Sequence, residues 1–289
     1  MVPRVNDWNL ELLRAAYRGC LNRDPDEPSL QNFRDQLAKG ELTWSTLLSG
    51  IVHSEEFRRG FIAQLALEQL HEARGALFRQ HLPPADIVVD LGGASTYAID
   101  GGLFAMGYPY TPRSLVIIDL PPENRFIKGA LIEPGKPFVN ARGTEVRYLH
   151  SSMSRLDSFE SGTVDMVVAG ASIEHVSESE ADAIIVEAYR VLRPGGHFCF
   201  DTCNAKLTRL ASPDQLVHPE HQKEYLVDEL VVKVTGAGFR IEKTLGMCPM
   251  PRSLASGHFD YYEMIGNGVV DENPDHSYEF FIHARKPAD

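Results

Sequence analysis

The stretch from Ile87 to Ser95 reads IVVDLGGAS. Three consecutive apolar residues lead into Asp90 and then into the pair Gly92 and Gly93, which predicts a buried parallel strand that runs into a tight turn. In an open α/β sheet, ligands bind in the crevice outside the carboxyl ends of the strands, and glycine lets the backbone approach them closely. A buried strand with a glycine turn and no ligand is the alternative for this stretch taken alone.

Two kinds of nucleotide cofactor could bind at this turn. A dinucleotide fingerprint needs glycine at the first, third and sixth positions, but counting from Gly92 puts Ala94 third and Tyr97 sixth. A nicotinamide-dependent oxidoreductase is therefore kept only as an alternative. A cofactor without phosphates, such as S-adenosylmethionine, needs a close turn for its amino-acid end and a nearby acid for its ammonium group.

These residues resemble the first motif of the class I S-adenosylmethionine-dependent methyltransferases, in which an apolar strand ends in an acid followed by spaced glycines. Asp90 and Gly92 match the motif, and Gly93 lies at one of its variable positions. The resemblance implies S-adenosyl-L-methionine as cofactor, with Asp90, Gly92 and Gly93 among the residues that bind it.

Two further strands extend the resemblance. Residues 115–119 predict a second buried strand ending in Asp119, and an acid at this place in the family accepts hydrogen bonds from both ribose hydroxyls. Residues 145–150 predict a third strand. Ser152 and Met153, which come after it, align with the family's adenine-contacting positions, although the usual acid is replaced by Ser152.

A fourth strand, residues 164–172, contains Gly170, which we assign to the cofactor site. It leads into Glu174 and His175, which the resemblance places opposite the methyl donor. His175 could take a proton from the acceptor or only shape the pocket wall. The next helix, residues 181–192, is expected to end in a glycine cap at residues 193–196 and to reverse into strand 197–200.

The segment beyond the fifth strand offers candidates for the acceptor. Asp201 could bind a sugar hydroxyl or cap the segment after it, and we assign it with Glu174 and His175 to catalysis. Residues 218–225 read HPEHQKEY, which resembles methyltransferases that act on sugars and polysaccharide ends. His218 and His221 could ligate a metal, but Pro219 favours a loop, so substrate contact by His218, His221 and Tyr225 is predicted, with no metal.

The first 60 residues predict short amphipathic helices. They resemble a small bacterial helical domain of unknown function that recurs beside glycan-modifying enzymes, the likeness lying in residues 13–17, 22–26, 37–40 and 54–57. We expect a packing or docking module over residues 1–60, a linker helix over 61–84 that the prolines Pro83 and Pro84 end, and a catalytic domain over 85–289.

The amino-acid composition indicates which kinds of partner the protein is expected to bind. The 289 residues contain 28 Lys and Arg against 40 Asp and Glu, a formal net charge of -12, which disfavours nucleic acid. The four cysteines form no Cys-x-x-Cys pattern, and no apolar run approaches the roughly 20 residues of a membrane span. We expect a cytoplasmic protein with no membrane span that acts on a small-molecule or glycan substrate.

The sequence thus predicts an α/β fold: a Rossmann-like, seven-stranded methyltransferase sheet with helices on both faces, behind a small all-α domain. The predicted function is S-adenosylmethionine-dependent O-methylation of a sugar or cell-surface polysaccharide. A non-catalytic binding module with a decayed methyltransferase fold is the alternative, because later glycines of the first motif and the adenine-binding acid are missing.

Overall fold

The computed structural model of the protein describes residues 5–125 and 136–288, with side chains described from residue 9 onward. The described residues form two compact units, the first ending at Leu67 and the second beginning at Glu68. The helices in these ranges are α1 (Val5–Leu21), α2 (Glu27–Lys39), α3 (Trp44–Val52), α4 (Glu55–His81), α5 (Gly102–Ala105), α6 (Glu178–Val191), α7 (Ala205–Ala211), α8 (Val227–Gly236), α9 (Pro251–Ser256) and α10 (Tyr261–Gly266). Each of them is too short or too polar to cross a lipid bilayer.

The N-terminal unit consists of helices, as predicted. Asp26 caps α2 by accepting the backbone N–H of Ser29 (2.8 Å), and Gly40 ends that helix in the left-handed conformation. Apolar side chains that recur at helical spacing turn inward and form a separate small core. Its buried members are Leu13, Tyr17, Leu30, Leu47 and Ile51.

A single helix, α4, covers most of the predicted linker. It begins at Glu55, where Ser54 Oγ accepts the backbone N–H of Phe57 (3.1 Å), and it ends at His81, shortly before Pro83. The boundary between the two compact units falls within this helix. Its C-terminal part therefore belongs to the larger unit.

The larger unit is built on one mixed sheet. Its strands are β1 (Ile87–Leu91), β2 (Ser114–Asp119), β3 (Phe138–Val139), β4 (Glu145–His150), β5 (Val164–Gly170), β6 (Leu192–Cys203), β7 (Arg240–Pro249), β8 (Val270–Asp271) and β9 (Ser277–Arg285). They lie in the order β3-β4-β2-β1-β5-β6-β9-β7-β8. The central pairs are parallel, whereas β3, β7, β8 and β9 pair antiparallel.

The prediction of seven strands is wrong, since nine strands form in the described residues. The two additional strands, β3 and β8, are two residues long and lie at opposite edges of the sheet. Each pairs antiparallel with one neighbour. Strands this short have no hydrophobic periodicity of their own, so their pairing depends on the neighbouring strand.

The predicted glycine cap after α6 is also wrong. The helix ends at Val191, and residues 192–203 form one continuous strand. The chain does reverse here, as predicted, because α6 connects the parallel strands β5 and β6, and Gly195 adopts a left-handed φ of 77° in this turn. Both glycines also bond to the residue that follows β9. The N–H of Gly195 donates to the carbonyl of Lys286, and the N–H of Lys286 donates to the carbonyl of Gly196, both at 2.9 Å.

Side chains alternate between the two faces of the sheet. One face packs on α6 and α8 and contains Val89, Leu91, Phe198 and Phe200, all buried. Successive residues of β1 and β6 point to opposite faces, so Asp90 and Asp201 lie on the other one. There Arg74 of α4 contacts Asp201, which places the C-terminal part of α4 on this second face. Helices therefore cover both faces, as predicted.

Candidate active site

A cavity of about 350 Å³ lies at the carboxyl ends of β1, β2, β4 and β5. It lies on the edge where ligands bind in open α/β sheets. Its lining consists of residues that come after these strands and of part of the segment before α8: Gly92, Ala94, Asp119, Leu120, Asn124, Arg125, Ser151, Ser152, Met153, Ala171, Ser172, His175, Val176, Glu180, Glu220 and Gln222.

Gly92 shapes the wall of this cavity nearest β1. It adopts a left-handed φ of 70°, and its N–H donates to the carbonyl of Ile118 (2.8 Å). A Cβ at this position would lie 2.9 Å from the Cβ of Ser172 and 3.3 Å from the sulfur of Met153. Both the backbone conformation and the space therefore require glycine.

Asp119 presents a carboxylate to the cavity from the end of β2. Its Oδ2 accepts the N–H of Ala94 (3.0 Å), and its Oδ1 accepts the N–H of Leu120 (2.7 Å). Arg125 Nε lies 3.2 Å from Oδ1. Because each carboxylate oxygen has about two acceptor sites, Asp119 can accept a further hydroxyl while it keeps these backbone contacts.

Ser152 and Met153, the predicted adenine-contacting residues, also line the cavity. The hydroxyl of Ser152 lies 2.8 Å from that of Ser154 and accepts the N–H of Ser154 (3.3 Å). These contacts fix the turn after β4 at the cavity wall. The structure thus brings together four of the predicted cofactor residues: Gly92, Asp119, Ser152 and Met153.

Asp90 and Gly93 lie beneath this wall rather than in the lining. Asp90 is buried, accepts the N–H of Leu103 (3.3 Å), and has its pKa raised to about 7 by burial. A Cβ on Gly93 would lie 2.1 Å from Asp90 Oδ2, so the turn rests directly on this carboxyl group. Their contact with the cofactor stays a prediction.

Glu174 and Asp201 belong to a buried charged network outside the cavity lining, and Gly170 lies against it. Arg74 Nε donates to Asp201 Oδ2 (2.7 Å) and lies 3.5 Å from Glu279 Oε2. The hydroxyl of Thr202 donates to Glu174 (2.8 Å), whose pKa is raised to about 7 by burial. A Cβ on Gly170 would lie 3.2 Å from Arg74 Nη2. The catalytic roles of Glu174 and Asp201 and the cofactor contact of Gly170 stay predictions.

Three histidines meet at the cavity rim. His175 lines the cavity from the turn after β5, and its ring centre lies 4.9 Å from that of His221 and 5.8 Å from that of His218. Burial, with the neighbouring His221, lowers the pKa of His175 to about 4, so its imidazole is neutral near pH 7. His221 Nδ1 lies 2.9 Å from a carboxylate oxygen of Glu224.

Backbone contacts hold the histidine-bearing loop against the turn after β5. The N–H groups of Gln222 and Lys223 both donate to the carbonyl of Glu174, at 2.8 and 3.3 Å. The side-chain amide of Gln222 donates to the carbonyl of His175 (3.0 Å). His218 and His221 therefore reach His175 through tertiary contacts. Tyr225, by contrast, is fully buried in the core with α6 and α8, and its predicted substrate contact stays a prediction.

Several lining residues were missed by the sequence reasoning, among them Arg125, Ser172, Glu220 and Gln222. Ser172 is the second residue after β5, and its hydroxyl donates to the carbonyl of Leu91 (3.2 Å). Its position after a central strand was the available signal. Glu220 and Gln222 lie within the run 218–225 that the sequence had already assigned to substrate contact, although neither was singled out. Arg125 lies on a longer connection, whose approach to the cavity only the folded chain determines.

Comparison with known proteins agrees with this geometry. Residues 105–200 match the family model described as a methyltransferase domain. A probable S-adenosylmethionine-dependent methyltransferase of Mycolicibacterium smegmatis is 35% identical over 109 residues, which are 38% of this chain and 41% of that protein. The match thus spans about two fifths of the relative's length.

Two solved structures share the fold. One is an S-adenosylmethionine-dependent methyltransferase of Thermotoga maritima, described as a possible histamine N-methyltransferase, with a TM-score of 0.52 and 18% identity over 80% of this chain and 94% of that one. The other is a Haloferax volcanii methyltransferase in complex with the activator Trm112, with a TM-score of 0.53 and 15% identity over 79% and 95% of the two chains. At such identities the likeness concerns the fold alone.

Proposed function

We propose that this chain is a class I S-adenosylmethionine-dependent methyltransferase and that it transfers a methyl group to a hydroxyl oxygen of a sugar or cell-surface polysaccharide. The family and the relatives imply S-adenosyl-L-methionine as the cofactor. The observation that carries the proposal is the cavity at the ends of the parallel strands, whose lining includes both Asp119 and His175.

The residues of the cavity fit this cofactor. The volume of about 350 Å³ lies within the range of roughly 300–1,000 Å³ typical of small-molecule sites. Asp119 would accept the ribose hydroxyls, Ser152 and Met153 would border the adenine, and Gly92 would let the backbone approach the amino-acid end. The bound cofactor would supply an electrophilic methyl group on a sulfonium sulfur.

The chain's own residues would align the acceptor and handle its proton. Methyl transfer is an in-line displacement, so positioning in a water-poor pocket provides most of the acceleration. A hydroxyl must lose its proton as the new bond forms, and His175 at the rim is the predicted acceptor of that proton. Burial lowers the pKa of His175 to about 4, so its imidazole is neutral near pH 7 and has a free lone pair, but it is a weaker base than an exposed histidine. Its part in the reaction would therefore depend on its position next to the acceptor.

Two resemblances support a carbohydrate acceptor. The N-terminal helices are similar to a domain found beside glycan-modifying enzymes, and we propose that this domain docks the enzyme to a partner. The run from His218 to Tyr225 is similar to methyltransferases that act on sugars. The histidines of that run lie next to His175, so an acceptor bound at the rim would contact them.

One observation favours a non-catalytic module as the second candidate. Arg125 already pairs with Asp119, the carboxylate predicted to bind the ribose. Equilibrium binding of labelled S-adenosylmethionine separates the two candidates, because a decayed site would show no saturable uptake.

The proposed reaction is tested by incubating the full chain with labelled methyl donor and a panel of nucleotide sugars and glycan fragments, followed by mass spectrometry. We expect a sugar product with a mass increase of one methylene group. A product methylated on nitrogen, protein or nucleobase would overturn the sugar assignment and leave the enzyme class intact.

A further inference from the structure

We propose that His175, His218 and His221 bind a divalent transition-metal ion at the rim of the cavity. One ligand atom from each of the three rings lies within 4.8 Å of those of the other two. Imidazole is a preferred ligand of zinc and its neighbours in the first transition series. The existence of this site does not depend on the reaction, whereas its role with an acceptor rests on the proposed function.

Two of the three rings already have a partner on Nδ1 that leaves Nε2 available as a ligand atom. His175 Nδ1 lies 3.2 Å from the carbonyl of Glu220, and because a carbonyl only accepts, this nitrogen carries the proton and leaves Nε2 with its lone pair. His221 Nδ1 donates in the same way to the carboxylate of Glu224. Metal-bound histidines are typically held by such carbonyl and carboxylate partners, which fix the tautomer and the ring plane.

Glu224 is itself firmly held. It is buried and accepts the hydroxyl of Thr208 (2.5 Å) and the N–H of Val217 (2.8 Å), besides its contact with His221. These contacts leave the carboxylate little freedom to turn away from His221. The pairing therefore provides a second layer of support for the imidazole.

His218 must reorient to complete the site. Its Nδ1 accepts the N–H of Glu220 (3.2 Å). The three ligand nitrogens, which lie within 4.8 Å of one another, must come to roughly 3.4 Å apart for tetrahedral zinc with bonds of about 2.0–2.1 Å. His218 lies on a loop next to Pro219, so ring rotation and a small loop shift supply this movement. We therefore expect His218 to contribute least to the affinity.

The position of the three histidines determines what the ion could do. A second group, Glu174 with Cys203 and His221, also has ligand atoms within 4.8 Å, but Glu174 and Cys203 are buried and lie outside the cavity lining. The three histidines instead include His175, which lines the cavity, so a fourth coordination position would face the acceptor.

An ion with an open position lowers the pKa of a coordinated hydroxyl. In the proposed reaction the acceptor O–H bond would break with its proton passing to water, the oxygen would bond to the methyl carbon, and the carbon–sulfur bond would break with its electrons going to sulfur. The ion would replace direct proton transfer to His175, and no oxidant or reductant is needed.

Calorimetric titration of the full chain with Zn²⁺, and the visible absorption of bound Co²⁺, test this site. We expect one saturable ion per chain, a tetrahedral Co²⁺ band, and affinity weakened at least about 100-fold by His175→Ala or His221→Ala and about 10- to 100-fold by Glu224→Gln. The exposed His258 is the matched control, and His258→Ala should leave the affinity unchanged.

Absence of saturable Zn²⁺ binding by the wild-type chain, or equal binding by the wild type and all three variants, would overturn the proposal. Circular dichroism shows which variants are folded, and the Co²⁺ band of the wild type tests the site even if a histidine variant fails to fold. A chain that binds zinc but methylates no sugar refutes the proposed function alone. A chain that methylates sugars yet binds no zinc refutes the metal site alone.

Discussion

The Asp119 carboxylate has a structural role and a predicted role in cofactor binding. It accepts two backbone N–H groups, from Ala94 and Leu120, and it pairs with Arg125 at the cavity wall. The contact with Ala94 holds the turn after β1 against the end of β2, and the contact with Leu120 fixes the start of the turn after β2. The remaining acceptor capacity is what a ribose would use, so this residue links the local structure to cofactor binding.

Replacing Asp119 tests this link. Asp119→Asn removes the negative charge and one of the two acceptor oxygens, and hydrogen bonds to charged groups contribute about 1.5–3 kcal/mol. We expect the affinity for S-adenosylmethionine to fall about 10- to 150-fold in equilibrium dialysis. Asp157→Asn, at an exposed position, is the control, and an unchanged affinity in Asp119→Asn would contradict the predicted ribose contact.

The buried acid Glu279 predicts a pH dependence of stability. Burial raises its pKa to about 8, against about 4.3 in an unfolded chain. Between these values the folded state holds a proton that the unfolded state has lost, so the free energy of unfolding falls as the pH rises from about 4.3 to about 8, by up to about 1.4 kcal/mol per pH unit, and levels off above that pH. Thermal unfolding between pH 7.0 and 8.5 measures this fall.

The isosteric variant Glu279→Gln cannot lose a proton, so its melting temperature should depend less on pH over the same window. Glu242→Gln, at an exposed position, should keep the wild-type dependence. Parallel curves for the wild type and Glu279→Gln would show that Glu279 is ionised in the folded protein at neutral pH.

At the scale of the element, α6 joins the core to the cavity. Its start is fixed by a capping box: Ser177 Oγ accepts the N–H of Glu180 (3.3 Å), and Glu180 accepts the N–H of Ser177 (3.0 Å). Glu180 also lines the cavity, while Ile184 and Ala188 pack into the core. The same first turn thus starts the helix and borders the site.

Removal of this cap should destabilise the protein measurably. Ser177→Ala leaves helix N–H groups without their side-chain acceptor, which costs about 0.5–2 kcal/mol. We expect a lower urea midpoint with an unchanged slope. Ser158→Ala, at an exposed loop position, should leave the midpoint in place, and the same would hold for Ser177→Ala if the cap contributed nothing.

At the scale of the whole molecule, cofactor binding should couple to stability. A ligand that binds only the folded state stabilises it by about 2.7 kcal/mol at a concentration 100 times its dissociation constant. We expect S-adenosylmethionine to raise the melting temperature of the full chain and NAD to leave it unchanged. Stabilisation by NAD alone would favour the oxidoreductase alternative that the first motif left open.

The sequence by itself determined the central strands, the residues that end them and the order of the parts. Strands β1, β2 and β5 are mainly apolar segments, and such segments need two covered faces whatever the rest of the chain does. The shorter apolar pattern of β4 still indicated a strand. Asp119, Ser152 and Met153 come at or just after the ends of these strands. Their place at the cavity is therefore a consequence of the strand assignment alone.

Only the tertiary structure decided which distant segments of the chain contact one another. The two-residue edge strands form because a neighbour offers them hydrogen-bonding groups, and residues 193–196 join the sheet because the end of β9 lies beside them. The charge of Arg74 reaches Asp201 across 127 positions of sequence, and His175 meets His221 because a loop bonds to the carbonyl of Glu174. Such contacts depend on packing between elements, and local periodicity carries no information about them.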